Sequence, residues 1–181
     1  MAEERKGDWC KTYSGVHFYP MDPRPEDFKI EDISHALSNQ CRFSGHTAIF
    51  FSVAQHSILV AKTILMENKP REVVLAGLLH DAAETYLVDI PSPIKRMLPD
   101  YSKMEGIVSK ALAEKFGVPY PWPKCVKDAD VRATYAEARE LAGGYEDWGV
   151  QIPNPLPGRI VPMEPRVAKA IFMRWFRGFE K

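Results

Sequence analysis

Cysteine is scarce in this chain, and what there is does not pair. Cys10, Cys41 and Cys125 are odd in number, far apart and show no C-x-x-C spacing. That argues against a disulfide framework or a thiolate zinc site and fits reduced thiols in a cytosolic protein. An excess of either charge is also missing, since Lys plus Arg and Asp plus Glu both number 24. Without surplus positive charge, a role in coating polymeric nucleic acid or lying on a membrane surface is disfavoured, although a local basic pocket for one phosphate is compatible. Nowhere do 18 apolar residues occur together, and the opening MAEERKGDWC carries no apolar run of signal-peptide type. The expectation is a soluble, cytoplasmic protein. No internal repeat or low-complexity linker interrupts residues 1–181, and 45% hydrophobic residues suffice for a single core, so one domain is expected.

What the sequence does contain is mostly helix signal. Aromatic and β-branched residues flank Ser14-Gly15, which predicts a short hairpin in WCKTYSGVHFYP. Pro23 and Pro25 impose a loop, EDISHALS reads as a short helix, and CRFSGHTAIFF as a second small hairpin or an irregular loop. SVAQHSILVAKTILMENK has Ser52 and, three residues on, Gln55, the pattern of a capping box, with Pro70 as its stop. REVVLAGLLHDAAETYL reads as one largely apolar, central helix, followed by a stretch kept non-helical by Pro91, Pro93 and Pro99. SKMEGIVSKALAEKFG shows a Ser-x-x-Glu start and a glycine stop at Gly117, and CVKDADVRATYAEARELAGG a helix ended by Gly143-Gly144. Residues 149–165 carry five prolines and read as an extended arm, before an amphipathic C-terminal helix whose apolar side holds Phe172, Trp175, Phe176 and Phe179. The fold class expected is all-α, a helical bundle with minor hairpins near the N-terminus.

The titratable residues of LLHDAAETYLVDIPSPIK raise a chemical question, because charged groups are rarely buried without partners. His80 and Asp81 diverge by about 100° on a helix, so both reach one ion only if it sits off the helix wall, with further ligands from other helices. His56, one turn into its helix, supplies one candidate, though a core histidine would look the same. Asp128 and Asp130 supply others, though capping or the helix dipole also explains aspartates there. Asp130 shares a helical face with Thr134 and Glu137. An imidazole and carboxylate set suits Mn, Fe, Co, Ni or Zn. Glu84 follows His80 by four residues and so lies one turn along. Lys95, in the proline-rich loop, is placed to reach a phosphate and equally well to be a solvated loop lysine.

Taken together, VAQHSILVA, LLHDAAETYLVDIPSPIK and KDADVRATYAEARELA resemble the HD-domain phosphohydrolases from about Arg42 to about Leu141. The subgroup most similar is that of the small 5'-deoxynucleotidases and the compact phage-type deoxynucleoside triphosphate hydrolases. The H…HD…D order carries the superfamily, and HDAAE with the later P-x-P-x-K carries the subgroup. The resemblance implies that His56, His80, Asp81 and Asp130 hold a divalent ion (Mn, Co, Zn, Fe, Ni or Mg). It implies that Glu84 and Asp89 serve water activation or leaving-group protonation, that Arg42 and Lys95 contact phosphate, and that Phe43 lies beside the nucleoside. It further implies a homo-oligomer. The reaction expected is hydrolysis of a 5'-(deoxy)nucleoside monophosphate. The alternatives are release of triphosphate from a deoxynucleoside triphosphate, a non-catalytic nucleotide-binding regulatory module, and a purely structural metal site. Three positions depart from the pattern: Val88 stands where relatives commonly have glycine, Phe43 where many have tryptophan, and Gly45 has no side chain where a substrate-selecting group would sit.

Overall fold

Ser52 starts the helix around which the rest of the chain is arranged. Its side chain accepts the Gln55 N–H at 3.2 Å and so satisfies one of the orphan donors of the first turn. The computed structural model describes residues 4–144, 148 and 156–179. In it, that helix, α2 (Val53–Met66), packs against α1 (Ile30–Asn39), α3 (Arg71–Leu79), α7 (Lys124–Leu141) and α8 (Pro165–Arg177). With these neighbours α2 buries Val53, Ala54, Val60, Ala61 and Ile64, and leaves Lys62, Leu65 and Met66 exposed toward its C-terminal end. The remaining helices are α4 (Glu84–Leu87), α5 (Ser92–Lys95) and α6 (Pro99–Phe116). The fold is all-α, and among the described residues its sheet is confined to β1 (Cys10–Lys11) paired antiparallel with β2 (His17–Phe18). No helix among the described residues is long and apolar enough to cross a membrane.

The hairpin is held to the core by Phe18, which stacks on Tyr86 at 3.8 Å and meets Phe28 edge-on. Buried Asp32 accepts both the N–H and the hydroxyl of Ser14 and pins the hairpin turn to α1. At the other end, Gln55 donates to the Val161 carbonyl and accepts the Met163 N–H, fastening residues 156–164 across α2. Gln55 therefore does not reach back to Ser52, and the capping box expected there is only half formed.

Other local expectations are corrected as well. Helix α2 ends at Met66, where Asn68 takes φ +55°, and Pro70 is instead the N-cap of α3. Pro91, Pro93 and Pro99 do not suppress helix: Pro91 caps the single turn α5, Pro93 lies in its first turn, and Pro99 opens α6, because proline fits where no N–H is needed. Ser102 lies inside α6 rather than capping it, so Ser102-x-x-Glu105 is not a helix start, while Gly117 does end that helix at φ +64°. The segment CRFSGHTAIFF closes through a lone bridge, Cys41 to Ser52, around a short turn at Arg42–Gly45. Of the expected arm at 149–165, residues 149–155 lie outside the described residues and 156–164 are non-helical.

Close approach of α3 to α2 requires Gly77. A Cβ there would collide with Ile64 Cδ1 and lie 3.5 Å from Ala61 Cα. Gly77→Val is therefore expected to destabilise the protein by about 2–4 kcal/mol through overpacking and a forced shift of α3. Chemical denaturation with metal titration in parallel checks this, since α3 leads directly into His80; unchanged stability and metal affinity would contradict it.

Candidate metal centre and adjoining cleft

The single helix expected over REVVLAGLLHDAAETYL is broken where it matters. Beyond Leu79 the hydrogen bonds tighten to the three-residue spacing, Ala82 N to Leu79 O, Glu84 N to Asp81 O and Thr85 N to Ala82 O, until α4 begins. The Gly77 carbonyl accepts a hydrogen bond from His80 Nδ1 at 2.8 Å. A carbonyl only accepts, so Nδ1 carries the proton and the Nε2 lone pair is left for another partner. Across this turn Asp81 faces His56 of α2 and His80 Nε2 faces Asp130 of α7.

His56 is oriented by the same logic. Its Nδ1 lies 2.6 Å from Glu137 Oε1, and both side chains are fully buried, at 0% exposure. The Glu137 carboxylate fixes the proton on Nδ1 and turns Nε2 toward His80. Neither Nε2 has a hydrogen-bond partner although both atoms are buried. Around these two lone pairs stand two carboxylates. Asp130 Oδ1 is 3.1 Å from His56 Nε2 and 3.9 Å from His80 Nε2. Asp81 places Oδ2 3.5 Å from His56 Nε2 and Oδ1 3.2 Å from His80 Nε2. Donors about 2.1 Å from a common ion lie about 3.0 Å apart at right angles and about 3.4 Å apart at tetrahedral angles. The donor atoms of His56, His80 and Asp130 all lie within 4.8 Å of one another. The separations of 3.1, 3.2 and 3.5 Å fall near these values and that of 3.9 Å is wider, and the donor set of two imidazoles and carboxylates is one that could hold a divalent ion.

The electrostatics point the same way. Asp81, Glu84, Asp89, Asp130 and Glu137 cluster around the cations Arg42 and Lys95. Burial and Arg42 disfavour a proton on His56, yet Glu137 and Asp130 outweigh them and raise its pKa to about 10. Burial pushes Asp130 up, but contact with the two imidazoles holds it well below the usual carboxylate range. A pocket that draws protons onto buried imidazoles is one that lacks positive charge, which a bound cation would supply. Glu84, 4% exposed, is raised well above its ordinary range by burial and then by Asp81 and Asp89, and its Oε2 has no partner. Asp89 is raised by burial and Asp81 against the opposing pull of Arg42.

Arg42 is a brace whose side chain is only 11% exposed. Its Nε donates to Glu137 at 3.2 Å, Nη1 to Asp89 at 3.3 Å and Nη2 to Thr134 at 3.1 Å. It thus joins the carboxylate behind His56 to the candidate acid Asp89. Phe43 follows at φ +54° with the Arg42 guanidinium 5.6 Å from its ring. A cleft of about 310 Å³ is lined by His80, Asp81 and Asp130 together with Tyr120 and Trp122. Lys95 and Lys127 line it, as do Ser102, Glu105 and Ser109 of α6. Lys95 is ion-paired with Glu105, 3.9 Å from Glu84, and sits over the Tyr101 ring. Of the candidates named from sequence, His80, Asp81, Asp130 and Lys95 line this cleft, whereas Arg42, Phe43, His56, Glu84 and Asp89 do not. Asp128 pairs with Lys124 on the exposed side of α7. His17 stacks on Trp9 and His35 on Tyr13, and His46 is exposed.

Over 173 residues the chain is 40% identical to the uncharacterized protein YfdR of Escherichia coli (strain K12), covering 93% of both. The chain belongs to the family of YfdR. A second member, an uncharacterized protein of Rhodobacter capsulatus, is 34% identical over 150 residues, 78% of this chain and 76% of that one. No family model matches. The match to YfdR takes in too much of the chain for the interior segment that builds the site, Gln40 to Glu137, to fall outside it. Within that segment Glu137 and Gln40 were not singled out as functional. The signal available for Glu137 was its position seven residues after Asp130, two turns along the same face of α7.

Proposed function

We propose that this protein is a divalent-metal-dependent phosphohydrolase acting on nucleotides, most directly a 5'-(deoxy)nucleoside monophosphate phosphatase. The observation that carries this reading is the pair of buried, unpartnered Nε2 atoms of His56 and His80 beside Asp81 and Asp130, which line a cleft with Lys95. His56, His80, Asp81 and Asp130 would hold the ion, which supplies Lewis acidity toward a phosphoryl oxygen and lowers the pKa of water. Phosphoryl transfer depends on positioning and charge neutralisation more than on covalent chemistry. Lys95 contributes a cation at the cleft wall, held in place by Glu105. Glu84, buried and raised toward neutrality, is suited to exchanging a proton between water and the leaving oxygen. Arg42 keeps Asp89 from drifting toward the ion and fixes Glu137 behind His56.

Release of triphosphate from a deoxynucleoside triphosphate is the second reading. It is favoured by Lys127, a second cation that lines the cleft with Lys95. Incubating the protein with Mn or Co and a panel of monophosphates and triphosphates, then identifying orthophosphate or triphosphate, separates the two. Tight nucleotide binding with no turnover under any metal would instead support the regulatory-module reading. Glu84→Gln is expected to lower kcat by at least about 100-fold while the ion stays bound at full stoichiometry. Unchanged kcat would remove Glu84 from the mechanism.

A further inference from the structure

Between Glu84 and Asp89 the backbone takes a conformation that valine avoids. Val88 has φ +66° and ψ 150°, a region open in practice to glycine alone. Burial does not hold it there, because the side chain is 54% exposed. Two hydrogen-bonding partners hold it, and a third group spans the residues on either side. The Val88 N–H donates to the Glu84 carbonyl at 2.9 Å, and the Val88 carbonyl accepts from the Tyr101 hydroxyl. The third group is the Gln40 side-chain amide, which uses both its ends. Its Nε2 donates to the Glu84 carbonyl at 3.0 Å, and its Oε1 accepts the Asp89 N–H at 3.1 Å. Gln40 is itself fixed at both backbone groups, its N–H to Ala36 at the end of α1 and its carbonyl receiving the Val53 N–H at the start of α2.

We infer that Gln40 is a positioning residue that bridges the backbone of the two candidate catalytic carboxylates and holds the strained Val88 turn in the form that gives Asp89 to Arg42. Its place in catalysis rests on the phosphohydrolase reading, but its mechanical role does not. Without the amide, the Asp89 N–H loses its partner and the Glu84 carbonyl one of its two donors, and Val88 relaxes toward negative φ, taking Asp89 away from the guanidinium.

A double-mutant cycle with Gln40→Ala and Val88→Gly tests this. Q40A is expected to keep its helical signal and one ion per chain, with kcat lowered at least about tenfold and KM within about threefold of wild type. V88G alone is expected to raise Tm and leave kcat within about threefold, because glycine takes this φ without strain. In the double variant most of the lost kcat returns, since a glycine between Leu87 and Asp89 keeps the turn open to the same form. The Tm gain from V88G shrinks in the Q40A background, where Val88 has already relaxed. Wild-type kcat in Q40A overturns the inference, and so do fully additive Tm shifts. If metal-loaded wild type turns over no nucleotide, the phosphohydrolase reading fails by itself, and the Tm cycle still decides the role of Gln40.

Discussion

Replacing His80 by alanine is expected to abolish ion binding and hydrolysis together. The side chain makes one hydrogen bond within the chain, to the Gly77 carbonyl, so the helices should survive its loss. Its remaining nitrogen is buried with no hydrogen-bond partner, 3.2 Å from Asp81 and 3.9 Å from Asp130. Without it a bound ion would lose one of its four proposed donors, and two carboxylates would be left facing His56 alone. Metal content of the purified variant should fall below about a tenth of an ion per chain, with activity down at least about 1000-fold, some 4 kcal/mol in barrier. Far-UV circular dichroism should stay close to wild type. An alanine variant that retains a full complement of metal and normal turnover would falsify the assignment of His80 as a ligand.

Glu137→Leu is expected to have the largest effect on stability of any single change around the site. The carboxylate is fully buried and serves two partners, His56 through Oε1 and Arg42 through Oε2. Its removal leaves a largely buried guanidinium with only Asp89 as an ion-pair partner and an imidazole without its orienting acceptor. Breaking one side of such a buried pair costs about 3–5 kcal/mol. In a chain of this size that corresponds to a fall of about 10 °C in Tm. Because Nδ1 then has no fixed acceptor, His56 is free to change tautomer, and metal affinity should drop about 10- to 100-fold. Glu137→Gln keeps the shape and part of the hydrogen bonding, so it should fold nearly as well while still weakening the ion. Calorimetry and metal titration on both variants check this; a leucine variant with wild-type Tm and affinity would show that Glu137 supports neither partner.

Much of this was legible in the amino-acid order, and for a local reason. Ser52 as a cap, Gly117 in the left-handed conformation and Gly143-Gly144 beyond α7 are decided within a turn of chain. So is the helical spacing that made the fold all-α. The order of His56, His80-Asp81 and Asp130 was equally readable, and the folded chain brings those four side chains to one place. Local signals also misled where a distant partner competed for the same atoms. Gln55 looked like a capping-box residue and instead ties down the segment near Val161, 106 residues away. Glu105 looked like the end of a second capping box and instead holds Lys95.

What the amino-acid order by itself determined was therefore the all-α class, most of the helices and the ends set by Ser52 and Gly117, and it offered four side chains as candidate ligands. Tertiary structure alone decided how those side chains are aimed. The break after Leu79, the Glu137 carboxylate behind His56 and the Gln40 amide across Val88 all depend on packing between segments. Spacing along a helix constrains neighbours three or four residues apart. A hydrogen bond between residues 81 apart, such as that of His56 with Glu137, exists only once α2 and α7 have been pressed together by their buried faces.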